Sequence, residues 1–205
     1  SYDREDATIL GQGYSVVDAL RQETEGDANA PNFSPSYGTQ PVSVWTGSKM
    51  IAWGVFSGDD SNFNTPGGAV YDPSTRKWSP MSAEGGPNFN DIQFELTDEF
   101  GSLWPRALWT GSKMIVEGVT SGSDMTDLWQ GWIYDLEQNT WSRPAEGSPV
   151  NNDIWDSVWT GSKLIVLGGD IVGSNYKLGG AVYDPEADAW TEMSPGSTDI
   201  VADAG

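Results

Sequence analysis

The 205-residue sequence contains no cysteine and no histidine. Without cysteine there is no disulfide, no thiolate nucleophile and no cysteine-ligated zinc. Without histidine the commonest general base and metal ligand is missing, and with it every Ser-His-Asp arrangement. Cations are scarce: 10 Lys and Arg stand against 30 Asp and Glu, a formal charge of −20. A surface this acidic repels nucleic-acid phosphates and anionic lipid, so nucleic acid is set aside as a partner. No run of about 18 apolar residues occurs, so membrane insertion through a helix is not expected. The sequence opens on Ser1 rather than Met, which fits a processed or excised piece.

What is present is turn-rich and aromatic, with 25 Gly, 12 Pro and 11 Trp. It is also repetitive. The pentapeptide WTGSK occurs at 45–49, 109–113 and 159–163. Around it, "VWTGSKMIAWG" answers to "LWTGSKMIVEG" and "VWTGSKLIVLGG". A Tyr-Asp pair follows each first Trp about 25 residues later, as "AVYDPSTRKW", "WIYDLEQNTW" and "AVYDPEADAW". In each copy the second Trp (Trp78, Trp141, Trp190) comes seven residues after the Tyr (Tyr71, Tyr134, Tyr183).

Each unit reads as four short strands, and helical periodicity is absent. The first strand ends at Trp45, Trp109 or Trp159. Gly-Ser then forms a two-residue hairpin turn, with Gly at the position that favours type II′. The second strand is a short, nearly continuous apolar run such as Met50-Ile51-Ala52-Trp53, which suggests a strand covered on both faces. The third carries the Tyr, a polar turn follows, and the fourth carries the second Trp. Four-stranded antiparallel units that recur at this spacing stack as blades of a β-propeller. A β-sandwich is the alternative, but a sandwich has little need of three matching units. The expected organisation is an acidic N-terminal arm and linker (1–36), blade 1 (37–82), blade 2 (83–144) with an acidic and aromatic insertion at 83–105, blade 3 (145–196) and a tail (197–205).

These residues resemble the kelch repeat, whose pattern is a hairpin ending in a di-glycine, then a Tyr and a Trp at fixed separation. Gly168-Gly169 keeps the doublet, and Gly54-Val55 and Gly118-Val119 keep its first member. The wording VWTGSK followed by an apolar strand and glycine is especially similar to kelch-type repeats of bacterial extracellular proteins. The resemblance spans about residues 40–196. It implies an all-β fold of three kelch-like propeller blades, with the Trp and Tyr of the repeat packing within and between blades. It also implies a secreted or cell-surface setting. Closed propellers have about 4–8 blades. Three therefore form a partial ring, or a ring completed by a second copy, a longer parent chain or another chain.

Strand order puts the Gly-Ser and Asp-Pro turns on one face. The loops between second and third strands, and the connections between blades, fall on the other. The second face is the longer and more varied, with loops at 56–66, 120–130 (holding Trp129) and 170–178 and connections at 83–105 and 145–156, and binding residues favour such loops. Candidate calcium ligands there are Asp59, Asp60, Asp124 and Asp127, since Ca²⁺ takes six to eight oxygens, though no EF-hand pattern is present. Candidate partner-facing residues are Arg106, Trp129, Phe94, Trp104 and Tyr176. Arg106 starts the first strand of blade 2, where residues often line the binding mouth in the kelch family. Glu117 sits where the other copies have Trp53 and Leu167, a carboxylate in a strand expected to be buried, and Arg106 is its candidate partner.

The leading functional expectation is a non-catalytic interaction or assembly module of a secreted or surface bacterial protein, binding a protein partner or a second copy through the long-loop face or the open blade ends. The alternatives are a carbohydrate-binding module, assisted by calcium, and a glycosidase. Glycosidase chemistry needs two carboxylates at a defined separation. Acids are abundant, but no pair is singled out, so no catalytic residue and no cofactor other than calcium is nominated.

Overall fold

In a computed structural model, the structure describes residues 27–30, 41–56, 65–87, 106–121, 127–146, 154–172 and 175–193. These hold twelve strands and no helix. Blade 1 is β1 (Val42–Trp45), β2 (Met50–Phe56), β3 (Thr65–Asp72) and β4 (Lys77–Pro80). Blade 2 is β5 (Arg106–Trp109), β6 (Lys113–Ser121), β7 (Asp127–Asp135) and β8 (Thr140–Ser142). Blade 3 is β9 (Ile154–Trp159), β10 (Leu164–Val172), β11 (Asn175–Asp184) and β12 (Ala189–Glu192). Each blade is a four-stranded antiparallel meander in chain order. The first strands β1, β5 and β9 lie against one another, so they form the inner edge of the stack.

The pentapeptide builds its turn from three of its letters. Gly47, Gly111 and Gly161 have φ of 99°, 102° and 101°. That is the left-handed region, which a residue with Cβ resists. The Thr closes the turn: Thr46 N–H donates to the Lys49 carbonyl (2.9 Å), while Lys49 N–H donates to Thr46 Oγ1 (2.9 Å). Thr110 and Thr160 do the same with Lys113 and Lys163. The Lys then reaches the Asp of the Tyr-Asp pair, which strand register sets beside it. Lys49 Nζ is 3.7 Å from Asp72 and Lys113 Nζ is 3.3 Å from Asp135, and Lys163 pairs with Asp184.

That Asp also shapes the second turn. Asp72 Oδ1 accepts from Ser74 N–H, Asp135 Oδ1 from Glu137 and Gln138, and Asp184 Oδ1 from Glu186. Its carboxyl is held below the usual range, mainly by hydrogen bonds from Ser74 at Asp72, from Gln138 at Asp135 and from Lys163 at Asp184. Each of these turns ends on a non-glycine residue with positive φ: Arg76 (54°), Asn139 (54°) and Asp188 (47°).

The core lies between blades. Val42, Val44, Ile51, Trp53, Val70 and Met81 of blade 1 bury against Met114, Val116 and Tyr134 of blade 2. Ile115 and Trp129 of blade 2 bury against Leu164, Val166, Ala181 and Tyr183 of blade 3. Successive residues of a strand point to opposite faces, so Met114 and Ile115 serve different seams. That is why the second strand reads as an unbroken apolar run. The leading face of blade 1 (Met50, Ala52, Ala69, Tyr71, Trp78) is buried too, with Ala30 packed on it and Asp27 Oδ2 accepting from Trp78 N–H at 2.9 Å.

Two expectations need correction. The stretches 120–130 and 170–178, read as loops, are largely strand. β6 runs to Ser121 and β7 begins at Asp127; β10 runs to Val172 and β11 begins at Asn175. Cross-strand pairing continues past the blade body, from Val119↔Trp129 to Ser121↔Asp127 and from Gly169↔Leu178 to Val172↔Asn175, so polar composition did not end the strands. The second correction is Trp45. Trp109 and Trp159 pack against the blade before them, but among the described residues no blade precedes blade 1, and Trp45 is 56% exposed.

Candidate functional site

Two seams repeat the same polar clamp. Asn139 Oδ1 accepts from Tyr134 Oη–H (2.8 Å) and from Ser82 N–H (2.8 Å). Trp141 Nε1–H donates to the Ser82 carbonyl (2.8 Å). Thus the residue that leaves blade 1 is gripped by both backbone groups. In the next seam Asp188 Oδ1 accepts from Tyr183 Oη–H and from Ala145 N–H (2.8 Å), and Trp190 Nε1–H donates to the Ala145 carbonyl (3.0 Å). Each clamping Trp meets its own Tyr, with centroids 5.1 Å apart, and an aromatic of the preceding blade edge-on. Those edge contacts are Trp53–Trp141 at 4.6 Å and Trp129–Trp190 at 4.8 Å. Burial, joined by the nearby Asp135, pushes the Tyr134 hydroxyl up to about 12, so it stays a donor. Burial and the Asp188 bond likewise raise Tyr183, and its hydroxyl depresses Asp188 in return. Tyr134, Trp141, Tyr183 and Trp190 are thereby used up in seams. Tyr71 and Trp78, 5.0 Å apart, form the matching pair in blade 1.

At the inner edge of the second seam lies a charged cluster. Arg106 pairs across β5–β6 with Glu117 in register, and its Nη1 lies 2.5 Å from Asp156 Oδ1 of blade 3. Glu117 is 3% exposed. Ser157 Oγ–H donates to its Oε1, and Trp129 Nε1–H to its Oε2 at 3.1 Å. Burial pushes the Glu117 carboxyl up, against the pull of those two donors and of the Arg106 charge. A carboxylate in a strand seam is thus tolerated because three groups face it.

Trp129, placed by sequence in a loop and free for a ligand, is on β7 and 7% exposed. Its ring lies over Gly131, where a Cβ would come within 2.1 Å of Cη2, so only glycine fits beneath it. It belongs to the seam and not to a ligand face. Arg106 remains partly exposed, its side chain at the inner edge. Tyr176 and Asp127 lie on β11 and β7, with their side chains outside the described residues. Asp59, Asp60, Asp124, Phe94 and Trp104 lie outside the described residues altogether. Among the described residues no group of three or more carboxylates is placed to hold a metal. A cleft of about 480 Å³ opens instead on the tight-turn face between blades 2 and 3, with Trp159, Thr110, Ser112, Ser142 and Ser162 among its lining residues.

Sequence reasoning missed Asn139, Asp188 and the Lys–Asp pairs. The Lys and the Asp are the same in all three copies, which was the available signal. Asn139 and Asp188 share a place five residues after the Tyr, a position that carries Arg76 in blade 1.

No family model matches the chain. A curated relative does: the Kelch repeat-containing protein kel-10 of Caenorhabditis elegans is 27% identical over 146 residues, 71% of this chain and 22% of the relative. The repeats are similar to those of this kelch repeat-containing relative. Solved structures with a similar trace include YjhT (12% identity, TM-score 0.48, 82% of this chain and 54% of that one). Another is the β-propeller domain of the Trilobed protease from Pyrococcus furiosus (12%, TM-score 0.42, 76% and 42%). A third is an α-L-arabinofuranosidase from Fusarium graminearum (12%, TM-score 0.45, 82% and 52%). The chain therefore spans less than a quarter of its curated relative and about half of these structures. Its described residues form three four-stranded blades stacked as in a β-propeller.

Proposed function

We propose that the chain is a non-catalytic protein-interaction module of a secreted or surface-exposed bacterial protein, binding through the open trailing face of blade 3 and the inner mouth. One observation carries this reading. The trailing face of blade 3 is apolar and uncovered, with Val158 at 51% and Leu167 at 42% exposure, while their counterparts Val44 and Trp53 in blade 1 are buried in a seam. Contiguous exposed apolar surface marks a place for a partner. The kelch relationship supports a protein partner in general terms, and the net charge of −20 favours a basic one. The extracellular setting rests on the wording of the repeat alone.

A test is site-specific photocrosslinking in the native source. A benzoylphenylalanine at Leu167 or Arg106 is expected to capture protein, and one at Ser74 on the tight-turn face is not. Equal capture at all three positions, or none, sinks the reading. Recovery of the chain from the cytoplasmic fraction would contradict the setting. The second reading, a carbohydrate module, is favoured by the cleft that Trp159 lines together with polar residues such as Ser112, Ser142 and Ser162. Glycan-array binding that disappears in Trp159→Ala would support it.

A further inference from the structure

We infer that the trailing face of blade 3 is the seat of one further kelch-type blade with its own Asx-x-Trp clamp, not of a second copy of this chain. The inference rests on the interaction reading above and names the occupant of one of its surfaces.

Both seams of the molecule follow one rule. The preceding blade offers an apolar face and a connecting residue just past its fourth strand. The following blade offers a WTGSK Trp, a Tyr face, an Asn or Asp that takes the connecting N–H, and a Trp indole that binds the connecting carbonyl. Blade 3 presents the preceding half of that rule again. Val158, Ile165, Leu167 and Val182 occupy the register positions of Val44, Ile51, Trp53 and Val70, and all four are apolar. All four blade 1 residues are buried; in blade 3 Val158 and Leu167 are exposed, and Ile165 and Val182 partly so. The exit from the blade is also the same. Met193 N–H donates to the Gly180 carbonyl at 2.9 Å, as Met81 N–H does to Gly68 at 2.9 Å. In sequence Ser194 follows Met193 as Ser82 follows Met81.

No blade of a second copy supplies the following half. The leading faces of blades 2 and 3 are already in seams. The leading face of blade 1 is buried with Ala30 packed on it, and Asp27 takes the Trp78 N–H. Blade 1 also has Arg76 where the clamp needs an oxygen acceptor, and a guanidinium accepts no hydrogen bond. Two chains of charge −20 further repel. A blade bearing Tyr, then Asn or Asp five residues on and Trp seven residues on, meets every requirement.

The experiment extends the full chain at Gly205 with a second copy of residues 106–146, a blade that carries Asn139 and Trp141. Binding of an apolar-surface dye and hydrogen exchange in β9 and β10 are read for the chain with and without the extension. The expected result is several-fold weaker dye binding and slower exchange in β9 and β10 on extension. An extension bearing Asn139→Ala and Trp141→Ala should lose most of that protection. The unextended chain should scatter light as a monomer. An extension that changes neither signal overturns the inference. So does a dimer of the unextended chain that Leu167→Asp dissolves, since that outcome makes a second copy the occupant. Because extension is read in the purified chain, its failure leaves the crosslinking test of the interaction reading standing, and the reverse.

Discussion

Replacing Asn139 separates the two jobs of the seam clamp. Its side chain accepts from the Tyr134 hydroxyl and from Ser82 N–H, both at 2.8 Å, and its backbone sits at φ 54°. Tyr134 is 1% exposed, so losing its acceptor leaves a largely buried donor unsatisfied, a cost of about 1–3 kcal/mol. Ser82 N–H is exposed, and water can replace its partner at little cost. The backbone adds a second term, because a left-handed conformation costs roughly 1 kcal/mol for an ordinary residue and less for Asn, Asp or Gly. Asn139→Asp keeps both features, as Asp188 does in blade 3, and is expected within about 0.5 kcal/mol of the parent. Asn139→Gly keeps the backbone and loses the acceptor, for about 1–2 kcal/mol. Asn139→Ala loses both, for roughly 2–3 kcal/mol. Urea unfolding followed by Trp fluorescence orders the three. The order Asp, Gly, Ala with these gaps supports a clamp. Ala equal to the parent, or Asp as damaging as Ala, would refute it.

Arg76 is the converse case, since it holds φ 54° without an Asx side chain. Arg76→Asn is expected to raise stability by about 0.5–1 kcal/mol in the same assay. Glu117→Gln keeps partners for Ser157 and Trp129 while removing a buried charge. The folded carboxyl holds its proton more tightly than the unfolded one, so its contribution is lost as pH rises from the unfolded pKa, about 4.3, through the folded one. The variant should therefore match the parent near pH 4 and gain with pH, reaching on the order of 1 kcal/mol at pH 8. A gap in thermal stability that does not grow with pH contradicts this. Thr110→Val removes the oxygen that takes Lys113 N–H at 3.0 Å in an exposed turn. A loss of about 0.5–1 kcal/mol is expected by thermal melts, and a gain would remove Thr from the account of the pentapeptide.

The division between what could and could not be read in the sequence follows distance along the chain. WTGSK, the apolar second strand and the Tyr-to-Trp spacing are local features, and they specify hairpins and therefore blades. The left-handed glycine of the turn was legible because only glycine rests there without strain. The Thr and Lys of the pentapeptide were visible as constants but unexplained, because the Lys finds its Asp only through β2–β3 register. The clamp was not legible: Ser82 and Asn139 are 57 residues apart, and Ala145 and Asp188 are 43 apart. Trp129 was misread because Gly, Ser and Asp before it suggested a loop, whereas cross-strand pairing to Val119 decided the matter. Trp45 was misread for a different reason. Its letters match Trp109 and Trp159, but among the described residues no preceding blade covers it.

Trp45, Trp109 and Trp159 therefore offer the most direct test of the stacked-blade account, because they share one local sequence and differ only in what precedes them. Hydroxyl-radical footprinting of the native chain, read by mass spectrometry, reports their accessibility in one experiment. The account predicts that Trp45 is oxidised several-fold faster than Trp109 and Trp159. Equal rates at all three would contradict it, because the blades would then not be stacked in this order with one end open.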